Sequence, residues 1–204
     1  MAHIPDGVLS LPVLAAGGAL TAAGVALALR KLDEKTIPRA ALLSAVFFAG
    51  SLVAVPVGPS SVHLLFTGLM GLMLGVLTIP AVLLALILQA ALFGFGGLTT
   101  LGINTVNIAF PGVILGALFL PFVRSSSPVR AGILAALCGA LCVAATGGLI
   151  AASLVLSSSD YVPSAKIVLA TYIPLMIAEA VITGFAVAFL KRARPDAFAT
   201  SFWS

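Results

Sequence analysis

The feature that most limits how this chain can fold is the near absence of charge along its long apolar stretches. Of its 204 residues only 8% are charged and 61% are hydrophobic, against roughly 25% charged in a soluble domain. Mean hydropathy is +1.25. The solvent of such a chain is lipid, and a backbone crossing lipid has to satisfy its own hydrogen bonds. Apolar runs measured against the roughly 20 residues that cross a bilayer predict an all-α integral membrane protein. Seven helices are expected, near 12–30, 39–57, 62–77, 80–94, 105–123, 129–157 and 164–190. The whole of 1–204 reads as one transmembrane domain, with a segment 1–11 ahead of the first helix and a tail at 195–204.

The third and fourth of these helices are short. Gly58-Pro59 and Ile79-Pro80 bracket the third, and Gly94-Phe95-Gly96-Gly97 ends the fourth. Interrupted segments of this kind place irregular backbone around a protein-enclosed cavity, since lipid cannot satisfy it. The basic residues then set an orientation. With the N-terminus outside, Arg30, Lys31, Lys35, Arg39, Arg124, Arg130, Lys191, Arg192 and Arg194 fall on the inner face and only Lys166 on the outer. That bias selects N-out and C-in, which an odd helix count also requires. Because the cations sit at the ends of apolar runs and form no patch, they argue for topology and against a nucleic-acid partner.

Three separate segments meet on the outer face in this topology: the N-terminus with His3, the start of the third helix with His63, and the polar run Thr99 to Asn107 between helices four and five. His3 and His63 are the only two histidines. The opening Ile4-Pro5-Asp6-Gly7 carries no basic leader, so no signal cleavage is expected and the terminal amine remains a ligand. With Met1 removed, the Ala2 amine, the His3 amide nitrogen and His3 Nδ1 take three corners of a plane, and His63 supplies the fourth. With Met1 kept, the terminus offers four nitrogens by itself and His63 becomes axial or only supports the ligands from behind. Removal is the preferred reading. Displacing an amide proton in a planar nitrogen field suits Cu(II) or Ni(II), with Co(II) a neighbour.

Other polar residues admit a functional and a plain reading side by side. Asn104, Asn107, Thr67 and Gln89 are available to orient the imidazoles, although asparagines near a loop also simply close turns. Ser60 or Ser61 is placed to cap the third helix, and Asp6 to close an Asx turn into Gly7. Glu179 is the one acidic residue deep in an apolar span; such a carboxylate faces the bundle with a partner, and Tyr172 shares its face. Cys138 and Cys142, four apart on one helix face, read as small packing residues, as do Met70 and Met73 in the third helix. Ala15, Ala19 and Ala23 make a flat stripe on the first helix suited to close approach of another helix, from this chain or a partner. The sequence has no G-x-x-x-x-G-K-[ST] phosphate loop, so any use of ATP has to lie on another polypeptide.

His3-Ile4-Pro5-Asp6-Gly7, Ser61-Val62-His63-Leu64 with Thr67-Gly68-Leu69, and the run Leu88-Gln89 through Gly102 with Asn104 and Asn107 resemble the CbiM/NikM family. These are the substrate-specific S components of energy-coupling-factor nickel and cobalt transporters. The resemblance implies an S-component-like bundle in a prokaryotic inner membrane, with an outer N-terminus threaded into it and a planar four-nitrogen site for Ni(II) or Co(II). It implies a transmembrane coupling (T) subunit, two ATP-binding subunits and a small companion membrane protein, which is not fused here. The alanine stripe is then the surface that meets the coupling subunit, and tilting of the S component carries the metal inward. Typical members begin Met-His, whereas this chain begins Met-Ala-His, so the carry-over to Ala2 and His3 depends on methionine removal. On this reading the chain is no enzyme and holds no cofactor beyond the transported ion. The alternative is a self-sufficient proton-coupled metal permease using Glu179. A metal-dependent hydrolase would need a general base beside an open coordination position, and apart from Asp6 no outer-face carboxylate is at hand.

Overall fold

The computed structural model describes residues 3–34, 36–53, 55–57 and 60–198, with backbone alone at 55–57 and 60–61. Seven α-helices run in order: α1 Leu11–Leu29, α2 Ile37–Ser51, α3 Thr67–Leu74, α4 Thr78–Phe93, α5 Leu101–Ser125, α6 Pro128–Ser157 and α7 Val162–Ala193. A small antiparallel hairpin, β1 Val55–Val57 with β2 Ser60–Val62, lies between α2 and α3, pairing Val55 with Val62. Proline in the first turn starts α1, α2, α6 and α7, where its missing N–H costs nothing and its fixed φ is already helical. Once started, these helices are apolar all round, as expected of segments facing lipid on one side and helices on the other. Leu11, Ile114, Leu118, Phe185 and Phe189 stay exposed.

Close approach between helices comes from small residues. A Cβ on Gly71 of α3 would fall 1.8 Å from the Gly112 carbonyl oxygen of α5, so α3 lies against α5 backbone to backbone. On α1 the buried stripe is Gly17, Thr21, Gly24 and Ala28, and Thr21 Oγ1 donates to the Gly102 carbonyl of α5 at 2.7 Å. Ala15, Ala19 and Ala23 lie off that stripe and are exposed.

Several expected boundaries move. The helix expected over 39–57 stops at Ser51, and the stretch after it turns into the hairpin, where β-branched valines flank Pro56. The third helix begins at Thr67 and not at 62, with Phe66 as its N-cap and no side-chain cap, so neither Ser60 nor Ser61 caps it. It is broken from α4 by a 3-10 turn, Gly75–Leu77, in place of the expected break at Ile79-Pro80. Gly75, at φ 56, makes the change of direction possible. The eight residues of α3 reach about 12 Å at 1.5 Å each, well short of a bilayer. The seven expected helices are present, but α3 is too short to cross by itself. Among the described residues five helical runs are long and apolar enough to cross, 67–93 counting as one, and α2 is a shorter apolar helix. The fourth helix ends where expected, with Gly94 left-handed at φ 66.

Each end of the bundle gathers its own set of residues. At one, the Ser10 N–H donates to Ser157 Oγ at 3.1 Å and the N-terminal segment lies on the loop before α5. At the other, Arg39 and Arg124 donate to the carbonyls of Ala197 and Phe198, and Lys191 to that of Arg124. Phe198 is buried there in a cluster with Leu69, Leu72, Leu120 and Val123.

Candidate metal centre

Residues 3–7 precede the first helix and would be free to wander if nothing held them. The chain after α4 provides the hold. Asn104, in the first turn of α5, accepts from the Ile4 N–H at 3.0 Å and donates to the Ile4 carbonyl at 3.0 Å. Thr100 Oγ1 donates to the same carbonyl at 2.7 Å. One side chain thus grips both backbone polar groups of Ile4, the residue after His3. Two residues on, the Asp6 carboxylate accepts from the backbone N–H of Leu98 (3.1 Å) and Thr99 (3.0 Å) and from Thr99 Oγ1 (2.5 Å). These bonds, the Thr99 hydroxyl foremost, hold the Asp6 carboxyl below the usual carboxylate range. Asp6 therefore ties the terminus to a loop 92 positions away, in place of the expected local turn into Gly7. Gly96, at φ 77, lies where a Cβ would come 3.3 Å from His3 Cβ, so a side chain there would crowd the ring.

The held segment delivers His3 to His63. Their ring centroids are 4.8 Å apart and the planes 22° from parallel, although sixty residues separate them in the chain. Both are buried, 6% and 4% exposed. His63 Nδ1 lies 3.0 Å from the Leu64 carbonyl oxygen. A carbonyl only accepts, so Nδ1 carries the proton and Nε2 holds the lone pair. The Nε2 atoms of both histidines are buried without a hydrogen-bond partner among the described residues. Burial first, then the adjacent His63, lowers the His3 pKa to about 3. Burial likewise lowers that of His63, against the opposing pull of its bond to Leu64. Both rings are neutral at pH 7.

This arrangement suits a cation with affinity for nitrogen. A buried polar atom left unpaired costs about 1–3 kcal/mol, so an ion taken by His63 Nε2 relieves that cost, and with metal–imidazole bonds about 2.0 Å long the His3 ring is near enough to share the same ion. The Ala2 amine, along with Met1, lies outside the described residues.

The other polar residues singled out in the sequence disperse. Asn104 acts on the terminus through Ile4; the rest do not reach it by hydrogen bonding. Asn107 pairs with Ser153 of α6, Nδ2 to Oγ 3.3 Å. Gln89 Nε2 donates to Ser51 Oγ at the end of α2. Thr67 is buried and its hydroxyl has no partner among the described residues. None of the four bonds an imidazole, whose one hydrogen bond comes from the backbone of Leu64. Asn104 and Asn107 also lie within α5 and not in a loop. Cys138 and Cys142 are buried free thiols in α6, as expected of packing residues. Glu179 is fully buried, and its partners are the backbone N–H groups of Leu65 and Phe66, not the Tyr172 on its face. Thr100 and Ser153 are the contributors that sequence reasoning did not single out; the Thr99-Thr100 pair directly before a helix start was the available signal for the first.

Helical runs of membrane-crossing length around a pair of buried, neutral imidazoles define a multi-pass membrane protein with a nitrogen-donor pocket at one end. The chain belongs to the CbiM family: residues 3–197 match the family described as "Cobalt uptake substrate-specific transmembrane region". It is 35% identical over 196 residues to a "Putative metal transport protein" of Haemophilus influenzae, covering 95% of each chain. To the "Cobalt transport protein CbiM" of Sorangium cellulosum it is 34% identical over 210 residues, covering 95% of this chain and 93% of that one. Among solved structures, a truncated transition metal transporter superposes with a TM-score of 0.75 at 27% identity, over 94% of this chain and 99% of that one. The family is one of cobalt and nickel transport proteins of the membrane.

Proposed function

We propose that this chain captures Ni(II) or Co(II) at the outer face of a prokaryotic cell membrane and serves as the substrate-binding S component of an ATP-driven energy-coupling-factor transporter. The observation that carries the proposal is the pair of buried, neutral imidazoles with ring centroids 4.8 Å apart, the Nε2 of His63 among them partnerless, at the end of the bundle where the N-terminal segment is clamped. The donors are His63 through Nε2, the His3 ring Nδ1 and amide nitrogen, and the Ala2 amine after Met1 is removed. Binding to the last two releases protons, so affinity falls as the medium is acidified. The ion is the cargo, and no further cofactor is required.

Orientation follows from charge. Arg39, Arg124 and Lys191 converge on the end opposite the histidines, and the positive-inside tendency makes that end cytoplasmic. The histidine pair then faces outward. Delivery inward needs energy from elsewhere, since the sequence holds no phosphate loop. A transmembrane coupling subunit, two ATP-binding subunits and a small companion membrane protein supply it, and the exposed Ala15, Ala19 and Ala23 of α1 form the face that meets the coupling subunit.

Nickel and cobalt titration of the detergent-purified chain, beside intact-mass analysis of its N-terminus, tests the site. A single tight site on a free Ala2 amine is expected, and an acetylated terminus in metal-binding material overturns the donor set. Metal uptake by vesicles holding this chain alone under a pH gradient would overturn the need for ATP-hydrolysing partners.

A further inference from the structure

Glu179 sits 0% exposed in the middle of α7, and what it grips lies on another element. Its Oε1 accepts from the backbone N–H of Leu65 and from that of Phe66, the latter at 2.8 Å. Those amides belong to the second and third residues after His63, and the residue between, Leu64, takes the hydrogen bond from His63 Nδ1. The stretch from His63 to Phe66 is thereby held at both ends: ring to Leu64, amides to Glu179. Phe66 is also the one non-glycine residue with positive φ among those described, at 52°. A side chain in the left-handed region costs roughly 1–2 kcal/mol and persists only where its surroundings impose it. The two N–H bonds to Glu179 are that imposition. They also set a carboxylate at the N-terminal end of α3, where the helix dipole favours it.

We propose that Glu179 is a positioning residue for metal capture: from α7 it fixes the 64–66 turn and, through Leu64, the tautomer and direction of the His63 imidazole. The inference rests on the reading that His63 is a metal donor. It assigns a job to an intramembrane carboxylate that neither proton coupling nor packing requires. Groups that orient a ligating histidine typically change metal affinity 10–100-fold when removed.

The test uses nickel chloride titration of the purified full chain, with the visible absorption of the bound ion recorded alongside. Glu179→Ala is expected to weaken nickel binding 10–100-fold and to shift the absorption band of the residual complex, which loss of packing alone would not do. Glu179→Gln keeps an oxygen acceptor in place and is expected to bind within about threefold of wild type. Glu179→Asp withdraws the acceptor and is expected to bind more weakly than Glu179→Gln. In a His63→Ala background, Glu179→Ala is expected to add no further loss, because a residue acting only through His63 is fully coupled to it. Wild-type affinity and spectrum in a folded Glu179→Ala protein overturn the proposal. If that variant does not fold, Glu179→Asp decides: affinity equal to wild type overturns it equally. Unchanged nickel binding by His63→Ala alone overturns instead the shared-site reading beneath it.

Discussion

Each end of this bundle holds a segment from outside the seven main helices, residues 3–7 at one and 195–198 at the other, yet opposite chemistry holds the two. At the basic end the donors are cations, Arg39, Arg124 and Lys191, and the acceptors are carbonyls of Ala197, Phe198 and Arg124. At the histidine end the grip is a neutral amide, a hydroxyl and a carboxylate aimed at backbone, from Asn104, Thr100 and Asp6, with the Thr99 hydroxyl donating to that carboxylate. The consequence lies in what is left over. A cationic end repels a metal ion, whereas the histidine end keeps two imidazoles buried together, with the Nε2 lone pair of His63 unpaired among the described residues. On the function proposed above, the basic end stays closed and the histidine end is the one that receives the cation.

That contrast is open to experiment, and the largest effect on metal affinity is expected at the imidazoles. His63→Ala should lower nickel or cobalt affinity at least on the order of a hundredfold, since it removes a donor outright and leaves the other nitrogens without their fourth. Calorimetric titration reads this directly. Unchanged affinity would mean that the ring pair is only a packed contact. Next comes Asn104→Ala, which removes the bonds to both polar groups of Ile4 and so loosens His3 without touching it. A 10–100-fold loss of affinity is expected, with thermal stability down by about 1–3 kcal/mol. If stability falls and affinity holds, the clamp is structural and the terminus finds the ion unaided.

A smaller effect is expected from acid on the metal-free protein. His3 is pushed down to about 3, and His63 is lowered as well, while in the unfolded or undocked chain both titrate near 6.5. Below 6.5 the undocked form takes up protons first, so docking of the N-terminal segment is fully present above that pH and is lost progressively as pH falls toward 3. The protection of the Ile4 amide, its exchange rate measured against the intrinsic rate at each pH, should fall through this window. Asp6 adds nothing to the change between pH 7 and 5, because its carboxyl is held below the usual carboxylate range and stays ionised. A flat protection profile from pH 7 to 4 would show that the imidazoles do not hold the segment.

How much of this was legible in the sequence depends on whether the interaction is made by side chains or by backbone. The histidine pair was readable, because only two imidazoles exist and counting apolar runs puts both at the same end. Asn104 was readable as part of the polar run near the site. The partners of Asp6 and Glu179 were not, since each carboxylate binds backbone N–H groups, and backbone donors leave no mark in a sequence. The hairpin was missed for a different reason. Val55-Pro56-Val57 is as apolar as the helix before it, so hydropathy carries the helix onward; β-branched residues around a proline were the cue for a strand. Likewise α3 reads as a membrane helix by composition alone, and its shortness follows from the left-handed Phe66 before it and Gly75 after it.

The smallest effect on affinity is expected from the most disruptive change at the basic end. Phe198 is 2% exposed and packs with Leu69 and Leu72 of α3, so Phe198→Ala should cost roughly 3 kcal/mol of stability through the cavity it leaves. Metal affinity should nevertheless stay within about twofold, because the ion's donors and their supports all lie at the other end. The variant bears on the comparison because α3 touches both regions: its first residue follows the turn that Glu179 holds, and its far side meets the Pro195–Phe198 turn. A tenfold loss of affinity in folded Phe198→Ala protein would show that the ends communicate along α3. The basic end would then be part of the capture machinery, and the division between a closed end and a receptive end would fall.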